Sequence, residues 1–519
     1  MHATVRSTPT FDGYASMYGW IQLVREEPEP GEWDTGPFVM DGGHPGLPRG
    51  VFNWYLLLNT TIFAFAGVGR GFDEGNIGSL VVQSRFRTKF GLDQQSPEQY
   101  ANTQGWIVSM FTAGLAVGCL ICLPFNDRLG RRWTLRLSTL VYAAGILGQG
   151  LCNGSLPGLY ASRIVAGLGA GGTTVIPSMY ISEVAPKTIR GLLTIQYSCC
   201  QQLGVVFGFF INYGVTKAYA GTDTQWMLPT LIQLLPAAIW GLGTFACVES
   251  PRWLLYVGQR TAAVTTLSRL RRLPLDHADV VAEIAMMEFQ ILQEREAVSG
   301  VSQWRLVQET FGPVDHRRRF FLVFMAHLFS QWSGANAITQ YLPTILGYLG
   351  MSGETAALTT GVYSVVKFGT CLVFSLVVVD FVGRRRSLMT GITLQCTTLV
   401  YLAAYLGLIG SEVYPIRIRA LAVSLGLTGH WLFAFGCSRA TPDLLGATQE
   451  WGAFAFFAGV CLVSLGYVFV AMPDTTGRSL EALDGLFQRP WYRVYEVAYA
   501  KDDETAMEVQ VIHEQGKMN

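Results

Sequence analysis

Charge is scarce in this chain of 519 residues: only 14% are charged, and the two signs cancel to a net charge of zero. A soluble domain carries about a quarter of its residues charged. The balance removes any bulk attraction to a polyanion, so no nucleic-acid partner is expected. The first 50 residues lack the basic-then-apolar layout of a signal peptide and read as a polar cytoplasmic tail. The ten cysteines fall mostly in or beside apolar runs, as Cys119, Cys122, Cys199 and Cys200 do, and suggest no disulfide framework. Gly167, Gly169, Gly171 and Gly172 lack the Gly-Lys-Ser/Thr ending of a phosphate loop and read as close helix packing. Catalytic residues, a metal site and enzymatic activity are not expected. Asn153-Gly154-Ser155 matches a glycosylation acceptor, a triplet that arises often by chance.

What is present is apolar length. Half of the residues are hydrophobic. A bilayer core about 30 Å thick needs about 20 mostly apolar residues per helix. Runs of that length lie near 51–69, 105–125, 133–152, 157–182, 192–215, 226–248, 320–347, 357–379, 387–410, 420–440 and 450–472. In lipid the backbone must satisfy its own hydrogen bonds, so about eleven membrane helices are expected. Residues 1–50 form the first tail, 51–248 one helical bundle, 249–319 a cytoplasmic loop, 320–472 a second bundle and 473–519 the last tail. The loop holds a basic stretch, Arg260 to Arg272, and an acidic one, Asp279 to Glu296, which read as short helices across the cytoplasmic mouth.

The chain repeats itself. Asp127-Arg128-Leu129-Gly130-Arg131-Arg132 recurs as Asp380-Phe381-Val382-Gly383-Arg384-Arg385. Glu183-Val184-Ala185-Pro186 with Ile189-Arg190 recurs as Glu412-Val413-Tyr414-Pro415 with Ile418-Arg419. Glu249-Ser250-Pro251-Arg252 closes the first half, and Pro473-Asp474-Thr475-Thr476-Gly477-Arg478 the second. Short Arg-rich loops stay on the cytoplasmic side. Arg forks match carboxylates bidentately, so these motifs point to a cytoplasmic gate between two halves. Its members are Asp127, Arg128, Arg131, Arg132, Glu183, Arg190, Glu249, Arg252, Asp380, Arg384, Arg385, Glu412 and Arg419. Topology alone would also place such arginines there.

Spacing sets the halves apart. Asp127 and Glu183 are 56 residues apart, room for two spans, whereas Asp380 and Glu412 are 32 apart, room for one. The next interval is similar, 66 residues from Glu183 to Glu249 and 62 from Glu412 to Asp474. The shortfall of 24 residues is about one membrane helix and lies near 409–411. Run 387–410 would then exit on the far side and carry Arg417 and Arg419 with it, against the positive-inside rule. The expectation is a bend in 387–410, a flip of the last two spans, or defective folding.

On these motifs, with Arg163-x-x-x-Gly167-x-Gly169 and Glu249-Ser250-Pro251-Arg252-Trp253-Leu254, the chain resembles the sugar porter family of the major facilitator superfamily over roughly 52–490. It looks most like the fungal hexose and quinate permease branches. The resemblance implies an all-α, polytopic membrane fold of two pseudo-symmetric six-helix bundles, here with the second bundle one helix short. It implies alternating access around a mid-membrane site. The family's tenth span normally carries Gly-Pro-x-x-Trp, which is absent here.

The resemblance assigns residues. Asp73 and Arg163 match the family's proton-coupling pair, with the proton as coupling ion and no other cofactor. Arg70 and Glu74 flank Asp73 where the family usually has uncharged residues, and their i,i+4 spacing suggests a local pair. A structural ion-pair role for Asp73 stays open. Substrate contacts carried over are Gln202, Gln331, Asn336, Gln340, Tyr341, His430 and Trp431, with Ser330 replacing a family Gln. A sugar site needs groups that donate and accept. His430 suits an acidic ligand such as quinate, or a histidine satisfied by a neighbouring helix; His327 shares that ambiguity. The implied function is transport of a hexose or similar polyhydroxylated solute by proton symport. Alternatives are a quinate or polyol permease, a non-transporting sensor, and a transport-defective truncated product. Sensors usually carry a long cytoplasmic tail, and only about 30 residues follow Phe487. A monomer in the lipid bilayer of the plasma membrane is expected.

Overall fold

A computed structural model describes residues 53–186, 189–298, 308, 311–348, 350–351, 353–373, 419–447 and 451–471. The elements among them are all helical. In the first half they are α1 (Trp54–Val82), α2 (Ser84–Lys89), α3 (Pro97–Leu129), α4 (Arg131–Leu151), α5 (Leu156–Val184), α6 (Arg190–Ala218), α7 (Thr224–Leu231) and α8 (Leu234–Gly243). Three helices cross the Arg-rich end: α9 (Pro251–Tyr256), α10 (Arg260–Arg271) and α11 (Ala278–Val298). The second half holds α12 (Val314–Trp332), α13 (Ala335–Tyr348), α14 (Gly353–Val373), α15 (Arg419–Ala447) and α16 (Trp451–Ala471).

Among the described residues, Pro97–Leu129, Leu156–Val184, Thr224–Gly243 and Gly353–Val373 are long and apolar enough to cross a bilayer. Helix α1 is as long but carries charge at Arg70, Asp73 and Glu74. That charge explains one boundary error: the apolar run ends near residue 69, but α1 continues to Val82. Its acidic pair is neutralised by basic partners from other helices, so the helix need not stop. Two expected single spans are divided. Residues 226–248 form α7 and α8, and 320–347 form α12 and α13 with Ser333 and Gly334 between them.

Small residues set how closely the helices approach. A Cβ on Gly71 of α1 would sit 1.8 Å from the Gln201 carbonyl oxygen of α6. Across the same seam a Cβ on Gly204 would sit 2.3 Å from the Val68 carbonyl oxygen. Any side chain at either position forces the two backbones apart. The glycines of α5 act likewise, with the Cβ position of Gly167 lying 2.2 Å from the Phe111 carbonyl oxygen.

Contacts along the helices fix direction. Gly114 meets Ile164 and Asn126 meets Met179, so α3 and α5 run parallel towards the Arg-rich end. Along α6, Phe210 meets Gly361 and Lys217 pairs with Glu354, with Cys371 reaching back to Cys199. Helix α14 is therefore antiparallel to α6 and ends on the Arg-rich side. Arg439, late in α15, lies against Asn102 and Trp106, early in α3. Helix α15 thus begins on the Arg-rich side, where Arg419 satisfies the positive-inside rule. Of the three outcomes expected, the flip of the last two spans is overturned, because α15 runs antiparallel to α3. The proposed gap near 409–411 lies outside the described residues, as do Asp380, Arg384, Arg385 and Glu412.

Candidate functional site: buried charges between two helical halves

Three consecutive charged positions on α1 find three different surroundings. Arg163 of α5 donates from Nη1 and Nη2 to the two carboxylate oxygens of Asp73, both at 3.1 Å. Both side chains are almost wholly buried. Arg163 also reaches the Gln149 side-chain oxygen and the Val108 carbonyl, each at 3.4 Å. Every one of these partners belongs to the first half. The fork geometry satisfies both carboxylate oxygens, which is what a buried pair requires.

Glu74, one residue on, points elsewhere, because neighbours in a helix do not share a face. Lys367 of α14 donates to its carboxylate at 3.4 Å and to the Thr339 hydroxyl of α13 at 3.0 Å. This pair is buried and joins the two halves. Arg70 does not pair with Glu74. It donates to the Gln201 side-chain oxygen at 3.1 Å, and its guanidinium lies 4.0 Å from the centre of the Trp431 ring. The expected local pair fails because each charge has a partner on another helix.

The second half contributes a polar chain at the break in α12–α13. Gly334 has φ +86°, and a Cβ there would sit 2.5 Å from the Phe457 ring, so the break needs glycine. Across it, Asn336 donates to the Gln331 side-chain oxygen at 2.9 Å. The Gln331 amide nitrogen lies 2.8 Å from His430 Nε2 and 3.3 Å from its Nδ1. His430 Nδ1 in turn lies 3.1 Å from His327 Nδ1, a contact that cannot form with both Nδ1 atoms protonated. A polar chain thus runs through Asn336, Gln331, His430 and His327.

Other carried-over residues divide. Gln202 is buried with its side-chain oxygen unpartnered among the described residues. Trp431 is buried beneath Arg70. Gln340 accepts from the Ser438 hydroxyl at 2.7 Å, tying α13 to α15. Tyr341 stands apart from the polar chain. It is fully buried, packs beside Ile77, Val108 and Trp226, and donates to the Ser438 carbonyl at 2.7 Å.

At the Arg-rich end, Arg131 forks onto Glu183 at 2.6 and 2.9 Å and lies 3.9 Å from Asp127. Glu249 caps the start of α4, accepting from the backbone N–H groups of Arg131 at 3.0 Å and Arg132 at 3.2 Å, and from Ser250 at 3.0 Å. Burial pushes its carboxyl above the ordinary range, and these three donors oppose that shift. Gly130 has φ +87°, and a Cβ there would meet Glu249 at 2.7 Å, which accounts for the Gly in the knot. Arg252 donates to Glu294 at 2.6 Å and Gln290 at 3.1 Å, and Arg271 forks onto Glu283 at 2.7 and 3.0 Å. The basic and acidic loop stretches thus pair with each other. Arg128 and Arg190 are exposed at the helix ends.

Sequence reasoning missed Lys367, Thr339 and Gln201. A signal existed for Lys367, since an ionisable residue inside an apolar run is a functional candidate by default. Its partner, nearly 300 positions away in sequence, left no local trace.

A duplicated set of apolar helices with charge buried between them defines a multi-pass membrane transporter. A family model described as "Sugar (and other) transporter" matches residues 59–411 and 405–487, and the chain belongs to that family. It is 32% identical over 500 residues to a probable quinate permease of Aspergillus niger, covering 88% of this chain and 92% of that one. It is 32% identical over 488 residues to the quinate permease of Emericella nidulans, covering 85% and 90%. The fold is similar to the proton:xylose symporter XylE bound to 6-bromo-6-deoxy-D-glucose, with a TM-score of 0.69 at 20% identity, covering 83% of this chain and 99% of that one. An inward-open XylE gives a TM-score of 0.67 at 18% identity, covering 83% and 100%.

Proposed function

We infer that this chain carries a polyhydroxylated solute of the hexose or quinate type across the plasma membrane, coupled to protons through Asp73. It acts as a monomer, without enzymatic activity and with no cofactor beyond the coupling ion. The observation that carries the reading is the buried Asp73–Arg163 fork, flanked by Glu74, which meets Lys367, and Arg70, which meets Trp431 of the other half. Moving access between the two sides changes the hydration of such a carboxylate, and hydration sets how readily it holds a proton. Gln202, Gln331, Asn336 and His430 supply the mixture of donors and acceptors that several hydroxyls require. The quinate permeases among its relatives favour a cyclic polyol acid.

The test is uptake into proteoliposomes under an imposed proton gradient. Quinate accumulates in the presence of the gradient and not after a protonophore collapses it, and Asp73→Asn abolishes that dependence. Equal uptake with and without the gradient contradicts proton coupling.

A second reading, a transport-defective form, is favoured by the spacing shortfall of 24 residues. The two family matches meet at 405–411, the same place. Robust uptake by this chain contradicts that reading.

A further inference from the structure

We propose that Lys367 is the binding residue for a solute carboxylate and that Glu74 occupies its place in the empty site. The substrate class is then a hydroxylated monocarboxylate rather than a neutral sugar. The proposal rests on the transport reading and names its substrate.

Lys367 stands in an otherwise apolar stretch of α14, facing the opposite half. A lysine at this depth is expensive unless a counter-charge meets it. An ammonium has three donors. Here one goes to Glu74 and one to Thr339, and the third has no partner among the described residues. The Glu74 contact is long at 3.4 Å and single, whereas a charge-assisted bond between committed partners runs about 2.7–2.9 Å. Asp73, its neighbour, is held by two shorter bonds, both at 3.1 Å, to one arginine.

The surroundings suit a solute. Thr339 brings Lys367 against α13, where Asn336 lies three residues earlier and on the same side of the helix. Asn336 begins the polar chain through Gln331 to His430. A ring whose hydroxyls engage Asn336 and Gln331 can present its carboxylate to Lys367. The displaced Glu74 has a second cation in reach, because Arg70 lies four residues earlier on α1. Glu74 and Lys367 sit on opposite halves, so rocking of the halves separates them. Each charge then needs a new partner: the solute for Lys367, Arg70 for Glu74.

The experiment measures ligand-dependent thermal unfolding of the purified full chain at pH 7, with quinate and its uncharged methyl ester. Wild type prefers quinate by on the order of tenfold, the worth of one charge-assisted bond. Lys367→Gln binds the two alike. Glu74→Gln, which removes the competitor, binds quinate more tightly than wild type. Should Lys367→Gln fail to fold, the neutral pair Glu74→Gln/Lys367→Gln replaces it, again without preference. Persistence of the preference without Lys367, equal binding by wild type, or weaker quinate binding by Glu74→Gln overturns the assignment. Binding of neither ligand by wild type overturns the transport reading as well.

Discussion

Asp73 and Glu74 are adjacent in sequence and alike in chemistry, yet the structure gives them different partners. Asp73 is held by two 3.1 Å bonds to Arg163, inside one rigid half. Glu74 is held by one 3.4 Å bond to Lys367, across the boundary between halves. About 100° of helix separates the two side chains, so one faces its own bundle and the other faces the opposing bundle. The difference shows which charge pair can be permanent in a rocking machine. A pair within a half does not depend on how the halves meet, whereas a pair between halves does.

The comparison can be broken by removing one partner at a time. Arg163→Met leaves Asp73 buried and unpaired, and the expected loss is about 3–5 kcal/mol. A large drop in the thermal midpoint, largely restored in Asp73→Asn/Arg163→Met, is the result to look for. Lys367→Met is milder, about 1–3 kcal/mol, because it removes a single long bond. A loss equal to that of Arg163→Met contradicts the distinction. Gln331→Ala interrupts the chain between Asn336 and His430 and costs about 1 kcal/mol in stability. It weakens binding of acid and ester equally, which separates hydroxyl recognition from charge recognition.

Two surface pairs mark the small end. Lys217 and Glu354 also join the halves, but both are exposed. Lys217→Ala is expected to leave the midpoint unchanged within error. Asp223, between α6 and α7, is held below the ordinary carboxylate range by Lys89 and then Arg85. Its stabilising contribution is present above the unfolded value and is lost as pH falls through the lowered folded one. Asp223→Asn should therefore narrow the difference between midpoints measured at neutral and acidic pH, and only slightly.

Much of the first half was legible in the sequence. Asp127-x-x-Gly130-Arg131-Arg132 and Glu183 pointed to a gate between the halves; the fork of Arg131 on Glu183 lies within the first half, and its counterparts Asp380, Arg384, Arg385 and Glu412 lie outside the described residues. Asp73 and Arg163 were paired through a family resemblance, since no periodicity connects positions 90 apart. The break at Ser333–Gly334 was hidden inside an unbroken apolar run, and only the Phe457 ring pressed against Gly334 explains it. Arg70 was expected on Glu74 by helix spacing, but Trp431 and Gln201 from other helices won. Tyr341 read as a substrate contact by motif, yet its hydroxyl is spent on the Ser438 carbonyl. Spacing also left a flip of the last helices open, beside a bend in 387–410 and defective folding. The contact of Arg439 with the start of α3 shows α15 in the opposite sense.

The most direct measurement is the ratio of quinate to methyl quinate uptake in proteoliposomes, followed across pH for Asp73→Asn and Lys367→Gln side by side. The account predicts that Asp73→Asn flattens the pH profile and keeps the preference for the acid. It predicts that Lys367→Gln loses the preference and keeps the pH profile. Two variants that alter the same property in the same way would contradict the division of labour between the neighbouring carboxylates.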